Sequence, residues 1–340
     1  MKKFHALLLA SGILLFAYLL WNVGPKELWR ELGLLGWGLV PIILGEGLAE
    51  MIHTLGWRHC LSRPHRSLSW TTLFPIRIAG YAINYLTPTA SLGGEVTKGA
   101  LLASHHPGPE AASGVLIGKL CFALAHLVFV AFGALFVLWR VPMPKPFWAA
   151  MLASGGLVGL CMIIFLWLQN RGKLGALVRW AALRNPRSLS LQKAARHLTT
   201  LDDTIMRFHR EHPGQLFLAI AWHLAGYSLG IVQTWLFFRF LHQDTSLWVA
   251  ASAWFLGMWF DLLTFAIPLN LGTLEGTRIL ILETIGYTAL MGMTYGFAFR
   301  LAQMFWACFG LVNYAFLASR IARPANGEPF ALRQSSGAFD

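Results

Sequence analysis

Of the 340 residues, 56% are hydrophobic and only 12% are charged, with a mean hydropathy of +0.56. Soluble domains carry about 25% charged residues, so a soluble enzyme or a nucleic-acid module is excluded as the body of the chain. The formal charge of +12 lies mainly in loops between apolar runs, the positive-inside pattern, and its electrostatic partners are anionic lipid headgroups.

The apolar runs are continuous and do not alternate, which specifies helices and not a barrel. Residues 4–23 follow Lys2 and Lys3 and form a first span, with a cytoplasmic N-terminus. Residues 34–55 form a second. It carries Glu46, Glu50 and His53 on one helix face. These three read either as a proton or cation relay, as the polar wall of a headgroup path, or as one end of an interfacial turn beside Trp57 and Arg58. Residues 56–69 are basic. An apolar segment from Trp70 to Leu86 then places Arg77, Gly80 and Asn84 on one face. Further spans follow at 114–138, with Lys119 and His126 on one face, and at 147–168.

Residues 169–212 hold nine Lys or Arg against three acids and form the cytoplasmic linker. Within it an apolar stripe from Leu191 to Phe208 predicts an amphipathic helix, lying on the inner leaflet or packed on the protein. The second half, 213–320, has spans at 214–240, with His223, and at 246–267, with Asp261 near its end. Residues 287–319 are too long for one straight span and predict two pieces that join near Arg300 and Gln303. Arg320, Arg323 and Arg333 place the C-terminus in the cytoplasm, and 321–340 read as a disordered tail. Cys60, Cys121, Cys161 and Cys308 form no Cys-x-x-Cys and read as small core residues, without a disulfide framework or a metal site.

Two stretches organise the rest. Pro88-Thr-Ala-Ser-Leu-Gly-Gly-Glu95-Val-Thr-Lys98 returns 180 residues later as Pro268-Leu-Asn-Leu-Gly-Thr-Leu-Glu275-Gly-Thr-Arg278. Each has a Glu seven residues after Pro and closes on Thr and a cation. Pro and Gly break helices, so each stretch predicts a broken or re-entrant helix. Paired interrupted segments in corresponding halves of a membrane protein point to a transport site. The alternative is a pair of ordinary loops. The fold expected is therefore all-α: a polytopic helical bundle with two broken segments in a pseudo-repeat.

Acids and cations are nearly equal in the membrane segments: Glu46, Glu50, Glu95, Asp261, Glu275 and Glu283 against Arg77, Lys98, Lys119, Arg278 and Arg300. Isolated charges in hydrocarbon are costly, so pairing or a wet cavity is expected. Glu95 and Glu275 can each cap their own helix. That reading leaves Arg77, Lys98 and Arg278 unexplained, because a cation at a helix start opposes the dipole unless an anion or partner carboxylate stands there.

The run Arg77-Ile-Ala-Gly80-Tyr-Ala-Ile-Asn84-Tyr-Leu-Thr-Pro88, followed by Leu92-Gly-Gly-Glu95-x-x-Lys98, resembles the lysylphosphatidylglycerol synthase transmembrane, or flippase-like, family. Pro268, Leu271-Gly272 and Glu275 resemble its second motif, with Thr273-Leu274 standing between the Gly and the Glu. The resemblance implies a multi-spanning protein of bacteria or archaea whose membrane region moves a lipid between leaflets, with one branch associated with hopanoid synthesis. No stretch of the sequence resembles the synthase domain, so lysyl transfer is not implied.

The function expected is a lipid flippase of the bacterial inner membrane, not an enzyme. It acts on an anionic phospholipid, a hopanoid or a polyprenyl lipid, without a cofactor and without nucleic acid. Arg77, Lys98 and Arg278 would contact the headgroup, Glu95 and Glu275 would order those cations or bind a coupling proton, and Asn84 and Asn270 would satisfy backbone at the breaks. Glu46, Glu50, His53 and Asp261 would form a relay. The alternatives are a membrane enzyme acting on a lipid headgroup, or a scaffold among lipid-biosynthesis proteins. The repeat predicts that Glu95 and Glu275 approach a shared central cavity from the two halves.

Overall fold

The computed structural model describes residues 2–87, 92–141, 145–170, 207–208, 210–264 and 267–322. Most of the linker with its expected amphipathic helix, the residues 88–91 of the first motif and the tail from 323 onward lie outside the described residues. Every regular element among the described residues is helical. They are α1 (Lys2–Val23), α2 (Pro25–Leu35), α3 (Leu39–His59), the short α4 (Arg63–Arg66), α5 (Trp70–Leu86), α6 (Gly93–Ala103), α7 (Pro109–Arg140), α8 (Lys145–Asn170), α9 (Pro213–Phe240), α10 (Leu247–Thr264), α11 (Thr273–Thr284) and α12 (Ala289–Ala322).

Five of the described helical segments are long and apolar enough to cross a membrane. The protein is an all-α, multi-pass membrane bundle. The expected join near Arg300 is corrected: α12 runs unbroken through Arg300 and Gln303. Its 34 residues span about 51 Å at 1.5 Å per residue, more than a hydrocarbon core of about 30 Å. No Pro falls within it. Arg300 marks no helix end because its charge is met inside the bundle, on Glu275. The sequence reading also passed over α2, whose Leu28 and Leu32 pack with Ile279 and Met293.

The two halves repeat at the level of elements. In the first, α3 is followed, after the short α4, by a 17-residue α5, a break, an 11-residue α6 and a 32-residue α7. In the second, α9 is followed by an 18-residue α10, a break, a 12-residue α11 and a 34-residue α12. The packing repeats too. Helix α3 packs on α9, α5 on α12 as α10 on α7, α6 on α7 as α11 on α12, and α7 on α9 as α12 on α3.

The equivalent helices α3 and α9 run antiparallel: Gly38 meets Phe240, Gly45 meets Gln233, Gly226 meets His53 and Gly56 meets His223. These glycines let the two helices come close, and a Cβ at any of them would strike the partner. Antiparallel equivalents mean that the halves have inverted topology, the arrangement of many transporters, with their interface near the bilayer midplane.

Exposed tryptophans gather toward one face. Trp21, Trp29 and Trp37 lie around the α1–α2–α3 turns, and Trp139 and Trp248 lie at the end of α7 and the start of α10. Arg140 stacks on both Trp139 and Trp248. Such rings settle at headgroup level. The opposite face carries Arg58, Arg63, Arg66, Arg207 and Arg210 at helix ends and turns.

Candidate functional site

One cavity of about 330 Å³ is bordered by both helices of the first hairpin, α5 and α6, and by the break of the second. The first half supplies Glu46, Glu50 and Trp57 from α3, Arg77, Tyr81, Asn84 and Tyr85 from α5, Glu95 and Lys98 from α6, and Lys119 and Phe122 from α7. The second half supplies Asp261 from α10, Ile267, Leu269 and Asn270 from the break, and Gln303 from α12. The first motif reaches it through Glu95 and Lys98 and the second through Leu269 and Asn270, while Glu275, expected there, does not. The volume is in the range of small-molecule sites.

The pairing expected from the near-equal numbers of charges is found. Arg77 Nε lies 3.0 Å from Glu50 Oε2, with each side chain 9% exposed. Lys98 Nζ lies 2.6 Å from Glu95 Oε2, and Lys119 Nζ lies 3.7 Å from Glu95 Oε1. Arg278 Nη2 donates to Asp261 Oδ2 at 2.7 Å and Nη1 to the Gly257 carbonyl at 3.2 Å. Arg300 grips Glu275 with a two-pronged contact, Nε on Oε1 and Nη2 on Oε2. Aromatic faces support the cavity cations: Lys98 lies over Trp57, and Arg77 and Lys119 lie over Phe122. The Arg300–Glu275 pair, with side chains 7% and 0% exposed, loses several kcal/mol if one partner is removed, since the other is left buried and unmatched.

The asparagines satisfy backbone at both breaks. Asn84 Oδ1 accepts from Gly94 N–H at 2.7 Å, and its Nδ2 donates to Glu95 Oε1 at 3.4 Å. With its amide oriented to suit its neighbours, Asn270 donates to the Thr264 and Ile267 carbonyls. Close approach at the first hairpin depends on Gly94, where a Cβ would collide with the Gly80 carbonyl and Asn84. At the second break Leu269 and Asn270 take positive φ of 59° and 46°. This conformation is strained for Leu. Arg300 holds it by donating to the Leu269 carbonyl at 3.0 Å and the Asn270 carbonyl at 3.1 Å. Gly272, at φ 74°, allows that turn, and its N–H donates to Glu275 Oε2 at 3.1 Å.

Of the residues singled out from the sequence, Arg77, Asn84, Glu95, Lys98, Asn270, Glu46, Glu50 and Asp261 line the cavity. Glu275 and Arg278 do not: they are 0% and 3% exposed and stand behind the wall. Glu275 caps its own helix and pairs with Arg300, and Arg278 pairs with Asp261. His53 also stands behind the wall, against His223. Sequence reasoning passed over Tyr81, Tyr85 and Phe122 as lining residues. Tyr81 and Tyr85 follow Arg77 by four and eight residues on α5, the same helical face as Arg77 and Asn84, and that spacing was their available signal. Phe122 lies one turn after Lys119 on α7, as α-helical spacing allows. Trp57 Nε1 and Asp261 Oδ1, on two lining residues, are buried without a hydrogen-bond partner among the described residues.

A multi-pass helical protein with an inverted repeat and a charged cavity between its two hairpins is an integral membrane protein. The chain matches the family model for the lysylphosphatidylglycerol synthase TM region over residues 4–310, and it belongs to that family. It is also similar to a UPF0104 membrane protein of Methanothermobacter thermautotrophicus, at 23% identity over 299 residues that cover 84% of this chain and 87% of the relative. No solved structure matches it.

Proposed function

We propose that this protein moves a lipid with an anionic headgroup, a phospholipid or an isoprenoid-type lipid, between the leaflets of the bacterial inner membrane. One observation carries the reading: a polar cavity lined by both hairpins, within an inverted repeat. Family membership supports it.

The cavity is suited to exchanging partners. Arg77, Lys98 and Lys119 each already face a carboxylate, Glu50 or Glu95. A phosphate oxygen that takes the place of Glu95 at Lys98 leaves that carboxylate its second lysine, Lys119. Asn84 holds Glu95 and the α6 backbone in register for that exchange. Asp261 and Arg278, with Glu275 behind them, hold the opposite wall. The basic face with Arg58, Arg63 and Arg66 is cytoplasmic in this reading, which sets both termini on that side.

Lipid exchange in proteoliposomes tests it. With fluorescent phosphatidylglycerol and a membrane-impermeant quencher, the protein accelerates loss of the protected inner-leaflet signal. Glu95→Gln and Lys98→Ala each lower that rate at least about tenfold, roughly the loss of one charge-assisted contact. Folded protein that leaves the inner-leaflet signal of phosphatidylglycerol and of polyprenyl phosphate untouched overturns the reading.

A further inference from the structure

Behind the cavity wall two imidazoles meet in the core of the bundle. His53 of α3 and His223 of α9 face each other, Nδ1 to Nδ1, at 3.1 Å. They are 5% and 0% exposed. Two neutral rings in this geometry share one hydrogen, with one Nδ1 donating and the other accepting. Whichever way it points, His223 Nε2 is left buried without a partner among the described residues. Packing does not require this. A shift of 180 residues carries His53 onto Gln233, and there the polar side chain is satisfied, donating to the Ile42 carbonyl at 2.9 Å. The second half thus has a satisfied polar residue at the position of His53, whereas His53 itself meets His223 of the other half in an incompletely bonded pair.

The pair lies close to the cavity's ion pairs. Glu50 precedes His53 by one helical turn and is bridged to Arg77. His53 packs edge-on against Phe122 at 5.1 Å between centroids, and Arg77 lies over the same ring at 5.7 Å. The groups around the pair are Glu50 on α3, Arg77 on α5, Lys98 on α6, Phe122 and His126 on α7, and Tyr227 on α9, and beyond them Glu46, Tyr81 and Lys119 line the cavity. Asp261 of α10 faces His126.

We propose that the His53–His223 pair binds one proton together with an anionic headgroup in the cavity, so that lipid passage is coupled to proton uptake. This rests on the reading of the cavity as a headgroup site. By themselves Arg77 and Lys98 repel a proton on the pair. A phosphate oxygen drawn onto Arg77 and Lys98 cancels that repulsion and frees Glu50 from Arg77. Glu50 then faces an imidazolium one turn away on the same helix. The incoming proton balances as follows: the neutral pair holds two ring hydrogens, and the protonated pair holds three, one between the Nδ1 atoms and one on each Nε2. No bond other than N–H and hydrogen bonds changes. By linkage, each ligand strengthens the binding of the other by the same factor.

The test titrates dioctanoyl-phosphatidylglycerol into the purified full chain in weakly buffered detergent near neutral pH, with a pH dye to count protons. The expected result is uptake of about one proton per lipid bound. His53→Gln and His223→Gln bind the lipid and take up none. Lipid binding without proton uptake by the unaltered protein overturns the coupling and leaves the headgroup site standing. Undiminished uptake in both folded variants overturns it as well. Failure of the unaltered protein to bind the lipid removes the headgroup site, and this proposal with it. The measurement on the unaltered protein decides the matter even where a variant does not fold.

Discussion

The two broken hairpins draw on the same residue types and use them in opposite ways. In the second, Glu275 and Arg278 turn away from the cavity: Arg300 takes the Glu and two strained carbonyls, and Asp261 takes the Arg. In the first, Glu95 and Lys98 face the cavity and each other, with Lys119 as a second, looser partner. Where the second half has Arg300, the same shift of 180 residues finds Leu120. A carboxylate held by a planar guanidinium fork is fixed in direction, whereas lysines hold it as mobile point charges. The comparison teaches that one motif in two copies can serve as a rigid frame on one side of a cavity and as an exchangeable surface on the other.

The largest effect that would break this contrast is on stability. Arg300→Ala should cost about 3–5 kcal/mol, since it leaves Glu275 buried and unmatched and releases the left-handed turn at Leu269. Arg300→Lys should recover little, because an ammonium cannot make the fork. Thermal unfolding in detergent reads both, and an unchanged midpoint for Arg300→Ala would refute the frame. Next in size is the difference between the two glutamates. Glu275→Gln should destabilise the protein strongly, while Glu95→Gln should shift the midpoint little and reduce lipid exchange far more. Equal stability losses in the two variants would remove the distinction between frame and surface.

A smaller effect is expected at Lys119. Its side chain is 31% exposed and 3.7 Å from Glu95. Partly exposed pairs are worth roughly 1 kcal/mol or less, so Lys119→Ala should slow lipid exchange by about two- to fivefold and leave the unfolding midpoint nearly unchanged. A loss as deep as that of Lys98→Ala would make the two lysines equal partners of Glu95. The smallest effect is at the exposed Arg239–Asp244 pair outside the cavity. Arg239→Ala should leave both exchange and stability as they were, and a change there would show that surface charge alone shifts these readouts.

Much of this protein was determined by its sequence alone. Continuous apolar runs with few charges require helices that cross a membrane, because backbone groups in lipid must bond internally. The paired Pro-to-Glu-to-cation spacing located both breaks, and the balance of acids and cations required pairing. Helical periodicity placed Arg77 with Asn84, and Glu46 with Glu50, on shared faces. What only the tertiary structure decided is who pairs with whom. Glu275 finds Arg300 from another helix, Asp261 finds Arg278 across a break, and His53 finds His223 some 170 residues away. Such partners follow from the packing of α11 on α12, of α10 on α11 and of α3 on α9, the last set close by glycines. A one-dimensional pattern can fix the face a side chain occupies. It cannot tell whether that face meets a cavity or a neighbouring guanidinium, because that depends on the three-dimensional crossing of helices far apart in the chain.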